Sequence, residues 1–209
     1  MAARRGRRWA SWTSEGGGDA AQLPGRERLV VPHEHRLSCV ATELNDGSAR
    51  PAGIKERGKD ISVVPVIGIY GANASGKTNV LAALRLMRSA VLGSLRWFTE
   101  PEPARRVAFA FDPKYADEPS FFEVNIAVAG VRYTYGFEVD DERVRAEWLH
   151  AYPKGRKQVW FDREGDEFDF RGEGLRGEKL ELARRARPDT LFLSVAAQFN
   201  HEQLEPVFS

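Results

Sequence analysis

The chain has 209 residues, 42% hydrophobic and 29% charged, a globular composition long enough for one sizeable core. Lys and Arg number 31 against 30 Asp and Glu, and the resulting net charge of +1 excludes a strongly basic nucleic-acid binder while leaving room for local basic patches. The single cysteine, Cys39, excludes an internal disulfide framework and reads as a small buried hydrophobe in a reducing interior.

No apolar run approaches the roughly 20 residues of a membrane span. The Arg4-Arg5 and Arg7-Arg8 cluster is not followed by the apolar stretch of a signal peptide. No membrane association is therefore expected, and a cytoplasmic location is.

Residues 1–28 carry that arginine cluster, the run Ser14-Glu15-Gly16-Gly17-Gly18 and few apolar residues besides Trp9 and Trp12. They read as a disordered basic arm. The segment from Leu29 to Glu43 is expected to be extended, with Leu37, Cys39 and Ala41 alternating with more polar neighbours, and a turn follows at Asn45-Asp46-Gly47-Ser48. Gly53 to Asp60 is charged and expected at the surface. His33 and His35 share one face of a strand, but with no third ligand they make no metal site.

The stretch organising the chain is 61–92. Val63, Val64, Val66, Ile67, Ile69 and Tyr70 read as a buried strand of a parallel sheet. Gly71-Ala72-Asn73-Ala74-Ser75-Gly76-Lys77-Thr78 fits the phosphate-binding pattern of Gly, four residues, Gly-Lys-Ser/Thr. Val80, Leu81, Leu84, Met87, Ala90 and Val91 then recur at helical spacing. The glycines let backbone N–H groups close on a phosphate, and the helix N-terminus adds favourable dipole. Lys77 is expected to reach the β- and γ-phosphates of a nucleotide, and the Thr78 hydroxyl to hold Mg2+.

Beyond Pro101 and Pro103 the pattern turns to short alternating strands over 104–171, an antiparallel β region. Strands are expected at Val107–Phe111, Ser120–Val128, Val131–Val139, Val144–Tyr152, Gln158–Asp162 and Glu167–Phe170, with a hairpin turn at Ala129-Gly130. In Val131–Val139 one face is apolar and the other partly wet. From Glu178 to Arg187 the pattern is helical until Pro188, Leu191–Val195 is a short apolar run, and a helix is expected to begin near Asn200. The region 175–209 reads as the start of a helical part.

Hydrolysis of a nucleotide also needs an acidic residue at the end of a second apolar strand. Asp140-Asp141-Glu142 is the candidate by spelling, but it follows an alternating, half-exposed strand and reads as a turn. A recognisable acidic strand and a Leu-Ser-Gly-Gly-type signature are both missing, so nucleotide binding is the firmer expectation.

The loop Gly71–Thr78 followed by Asn79, with Asn73 two residues after the first glycine, resembles the bacterial AAA family ATPases. The resemblance is to those related to the overcoming-lysogenization-defect and abortive-infection proteins, within the wider ABC, RecF and SMC group. Glu118–Val124, Tyr133–Phe137, Glu147-Trp148-Leu149, Leu191–Gln198 and Leu37–Thr42 look similar too. The resemblance implies an α/β P-loop fold, the N-terminal half of an ABC/RecF-like head with an inserted antiparallel β region, over 29–209. It also implies ATP and Mg2+ as cofactors, bound by Gly71, Ala72, Asn73, Ala74, Ser75, Gly76, Lys77, Thr78 and Asn79. In such families two heads sandwich ATP, which implies a homodimer in full-length relatives. A glutamine at the lobe junction contacts the metal and the attacking water, and Gln198 is either that residue or an ordinary polar residue. A phage-defence effector or a DNA-associated partner is implied by analogy. The chain reads as a partial domain, with a non-catalytic interaction module as the alternative.

Overall fold

The computed structural model describes residues 37–42, 47–56, 58–73, 76–96 and 119–208. The arm over 1–28, both His33 and His35, and the strand expected at Val107–Phe111 lie outside the described residues.

Five strands form one antiparallel meander in the order β3-β4-β5-β6-β7: β3 Ser120–Val128, β4 Val131–Val139, β5 Val144–Tyr152, β6 Gln158–Glu164 and β7 Glu167–Asp169. The β3–β4 register is set by a two-residue turn. Ala129 and Gly130 both take positive φ, 49° and 75°, and Val128 faces Val131 across it. That backbone twist matches the twist of the strands it joins. The alternation in β4 puts Tyr133, Tyr135, Phe137 and Val139 into the core. Leu149, Ala151 and Phe161 join them there, packed with Phe192, Leu193, Ala196 and Leu204 from the C-terminal region. The opposite face is not wet at its centre: Thr134 and Gly136 are buried, Gly136 beneath the indole of Trp148.

Three short helices complete this half: α2 Lys179–Arg185, α3 Phe192–Gln198 and α4 Glu205–Phe208. Helix α2 stops before Pro188, as the sequence predicts. The helix expected near Asn200 instead starts eight residues earlier, and Asn200 lies beyond it with φ 53°. The cause is a strand residue: the Glu147 carboxylate accepts from the first N–H groups of α3 and nucleates the helix within the apolar run.

The N-terminal part departs further from expectation. The charged stretch 53–60 is largely exposed, as expected, but is also ordered into a two-stranded antiparallel ribbon that the sequence did not disclose, β1 Arg50–Glu56 with β2 Lys59–Val63. Val40 bridges to Val63, and the Ala41 and Val64 N–H groups bond Ser62 and Cys39 carbonyls. Cys39 itself is exposed rather than buried.

The parallel strand predicted at Val63–Tyr70 does not form. The ladder ends at Val63, Val66 is 81% and Tyr70 90% exposed, and Ile67 and Ile69 are not buried in the core. A strand exists only through its neighbours. Among the described residues no strand pairs with 65–71, and its apolar side chains stay exposed or only half-buried. Helix α1, Lys77–Gly93, follows as predicted. The fold is thus mixed α/β, its main sheet the antiparallel one.

Candidate functional site

At the predicted phosphate loop, Gly76 is the cap residue of α1 with φ 83°, a left-handed conformation that glycine adopts without penalty. The Asn79 and Val80 N–H groups return to its carbonyl. Helix α1 runs for 17 residues, starts from a glycine cap that has no side chain to bond its first N–H groups, and carries no acidic residue in its first turn. No carboxylate of the first turn offsets its positive dipole end. Its three charged residues, Lys77, Arg85 and Arg88, are all cations.

The Lys77 ammonium arches back across the loop. Nζ donates to the Gly71 carbonyl at 2.8 Å and also to that of Ala72. This fold-back places the cation of the first helical residue against the backbone of Gly71 and Ala72. Thr78, the predicted metal ligand, stands in the first turn of α1, with Asn79 beside it. Ala74 and Ser75 lie outside the described residues. A lysine, a hydroxyl and a helix N-terminus without a first-turn acid are groups of the kind that fit a nucleotide phosphate with its metal.

Gln198 stands at the last turn of α3. The hydrogen bonds between α3 and the P-loop helix fall near the other end of α1: Ser194 Oγ donates to the Val91 carbonyl at 2.5 Å, and Ser94 Oγ donates to Ser194 Oγ at 2.9 Å. Val91 is 14 residues past Lys77, about 21 Å along a helix at 1.5 Å per residue. Lys77 and the α3 anchor thus sit at opposite ends of α1, and among the described residues no hydrogen bond of Gln198 leads to the loop.

The sequence did not single out the chemistry of Glu147 and Arg163. Both are buried. Glu147 accepts from Tyr135 Oη at 3.0 Å, from the Phe192 N–H at 2.6 Å and from the Leu193 N–H at 3.0 Å. Arg163 Nη1 stands 3.6 Å from Glu147 Oε2 and donates to the Thr190 carbonyl at 2.6 Å. Its other nitrogens donate to the Gly165 and Arg187 carbonyls. Burial pushes the Glu147 carboxyl above its ordinary value, against the pull of Arg163 and the three hydrogen bonds. Burial raises the Tyr135 phenol as well, and the Glu147 charge adds to it. The signal available in sequence was an acid at an inward-facing strand position, two residues before Leu149.

The Asp140 turn is also explained. Its Oδ1 accepts from the Glu142 and Arg143 N–H groups at 2.8 and 2.7 Å, which makes Asp140 the closing residue of the β4–β5 turn.

Residues 66–204, well over half of the chain, match the family described as "AAA domain, putative AbiEii toxin, Type IV TA system". The chain belongs to this AAA domain family. The matched span holds the phosphate loop, α1, the five-stranded sheet and α3, so it joins the loop to the β region as one family unit. No curated protein and no solved structure matches the sequence at a significant level. Family membership supports nucleotide binding by a P-loop ATPase-like domain, with metal use in general. Among the described residues of the AAA domain, no cluster of His, Cys, Asp or Glu has metal-site geometry, and no helix is long and apolar enough to cross a membrane.

Proposed function

We propose that the AAA domain binds ATP–Mg2+ through Gly71–Asn79, as a head of the ABC/RecF-like group. Lys77 leaves the Gly71 and Ala72 carbonyls to meet the β- and γ-phosphates, and Thr78 holds the metal through its hydroxyl. The observation that carries this reading is the Lys77 ammonium folded back onto the Gly71 and Ala72 carbonyls at the glycine-capped start of α1, whose first turn has no acidic residue. A phosphate replaces both carbonyls as the partner of that cation and meets the helix dipole at the same point. Gln198 keeps its proposed part as a sensor of metal and water only in an assembled head. Hydrolysis requires a complementing partner, through an ATP sandwich of two heads. A defence effector is the output by analogy.

A fluorescent ATP analogue titrated into the protein tests the binding. Lys77→Ala is expected to weaken it at least tenfold, and Thr78→Ala to remove the effect of added Mg2+. Equal affinity for Lys77→Ala and the native chain would sink the proposal.

A second reading, a non-catalytic interaction module, is favoured by the exposed apolar side chains around the loop: Val66, Tyr70, Leu81 and Leu84. Steady ATP turnover by the purified chain alone, abolished in Lys77→Ala, would exclude it.

A further inference from the structure

The five-stranded sheet is polarised in charge from one end to the other. The antiparallel register puts the β3–β4 turn and the β5–β6 turn at one end, and the β4–β5 and β6–β7 turns at the other. The second end carries Asp140, Asp141, Glu142, Glu164, Asp166 and Glu167, partly balanced by ion pairs of Arg143 with Asp166 and of Arg145 with Asp140. The first end is the reverse. From Val124 to Tyr133 and from Trp148 to Phe161 there is no acidic residue, while Arg132, Lys154, Arg156 and Lys157 all lie within these stretches.

Three of these cations stand on or next to the β5–β6 turn. Lys154 and Gly155 both adopt positive φ, 56° and 76°, and the Arg156 N–H returns to the Pro153 carbonyl. Lys154, Arg156 and Lys157 are exposed and make no ion pair among the described residues, whereas Arg143, Arg145, Arg163, Arg171, Arg185 and Arg187 each do. Arg132 faces Tyr152 across the ladder and lays its guanidinium 3.6 Å from the ring centroid. Burial lowers its pKa, and the charges of Tyr152 and Glu56 of the neighbouring ribbon oppose that. Arg132 is thus already engaged, and the available charge is that of Lys154, Arg156 and Lys157.

We infer that this basic end of the sheet is a contact surface for a nucleic-acid phosphate backbone. Three exposed cations within four residues of one turn can neutralise neighbouring phosphates without recognising sequence. The overall charge of +1 supplies no general attraction, so the local asymmetry sets where and in which orientation a polyanion docks. The surface is distinct from the phosphate loop and independent of the proposal for ATP.

The test is fluorescence anisotropy with a labelled 20-base-pair duplex and its single strand, titrated at several salt concentrations. The native chain is expected to bind at low salt with affinity falling steeply as salt rises. The triple variant Lys154→Gln/Arg156→Gln/Lys157→Gln is expected to bind at least tenfold more weakly. Its log–log salt slope should be shallower by about 2.7 for a duplex, at about 0.9 for each phosphate no longer neutralised. Unchanged circular dichroism and unchanged binding of the ATP analogue keep the variant's weakening specific to this surface. Native and variant proteins of equal affinity and slope, or a native chain that binds polyglutamate and acidic proteins but neither nucleic acid, would overturn the inference.

Discussion

The indole of Trp148 lies directly on Gly136, its partner across β4 and β5: a β-carbon at 136 would stand 2.3 Å from Cζ2 of the ring and 2.7 Å from the Phe122 carbonyl oxygen. No side chain fits there without displacing both a ring and a strand backbone. The same row continues to Glu123, whose Oε2 accepts from the Trp148 indole N–H at 3.0 Å, and Phe121 stacks on the ring at 5.5 Å. Gly136→Ala is therefore expected to destabilise the protein by about 3 kcal/mol, as overpacking does in a closed site. In a chain of this size that lowers Tm by roughly 6–12 °C. Thermal unfolding followed by circular dichroism reads this directly, and a shift of less than about 2 °C would mean that the indole moves aside freely.

Glu147 joins two distant parts of the chain, β5 and the start of α3. All four of its partners are donors: a phenol, two backbone N–H groups and a guanidinium. Glu147→Gln puts an amide NH2 among donors and leaves Arg163 as an uncompensated buried cation. A loss of about 3–5 kcal/mol is expected, the scale for breaking a buried pair by removing one partner. Tyr135→Phe removes a single hydrogen bond and is expected to lose about 1 kcal/mol. Hydrogen exchange localises the effect. The Phe192 and Leu193 amides should exchange faster in Glu147→Gln while amides of β3 and β4 stay protected; uniform deprotection would show that Glu147 supports the whole sheet instead.

These two sites mark the limits of what the sequence discloses. The hairpins were legible because alternation and turn chemistry are local: Ala129-Gly130 fixes a register, and Tyr133, Tyr135 and Phe137 declare a face. Helix α1 was legible from its period and its glycine start. Leu191–Val195 was not, since five apolar residues fit a strand or a helix equally, and the choice is made by the distant Glu147 carboxylate. The segment before the phosphate loop shows the converse. Its composition is that of a buried strand, but burial depends on neighbouring strands, and Val66 and Tyr70 remain exposed among the described residues. Of the candidate site, the loop residues were legible by pattern, while the Lys77 fold-back onto Gly71 and Ala72 is visible only in three dimensions.

Ser94 carries the junction between α1 and α3. It is fully buried; its hydroxyl oxygen accepts from the Leu191 N–H at 3.2 Å and its proton goes to Ser194. Ser94→Ala leaves a buried N–H without its acceptor, at a cost of about 1–3 kcal/mol. Because the Ser194–Val91 bond survives, Ser94→Ala should leave nucleotide binding within about twofold while lowering the urea midpoint. Loss of both together would place the junction in the binding mechanism rather than in the fold.

Asp140 gives a prediction in pH. Burial pushes its carboxyl up, but the N–H groups of Arg143 and Glu142 and the Arg145 guanidinium outweigh that and hold it below the usual carboxylate range. A lowered folded value means that the ionised form is the one the fold stabilises. That contribution is complete above the unfolded value near 3.8 and is lost as pH falls through the folded one. Asp140→Asn keeps an oxygen for the two backbone N–H groups and removes only the charge opposite Arg145. The variant should be less stable than the native chain by up to about 1 kcal/mol at pH 7, the scale of a partly exposed ion pair. The gap should shrink as the pH drops below about 4. Urea unfolding at pH 7, 5 and 3 measures it, and a gap that stays constant across the three would mean that Asp140 acts through turn geometry alone.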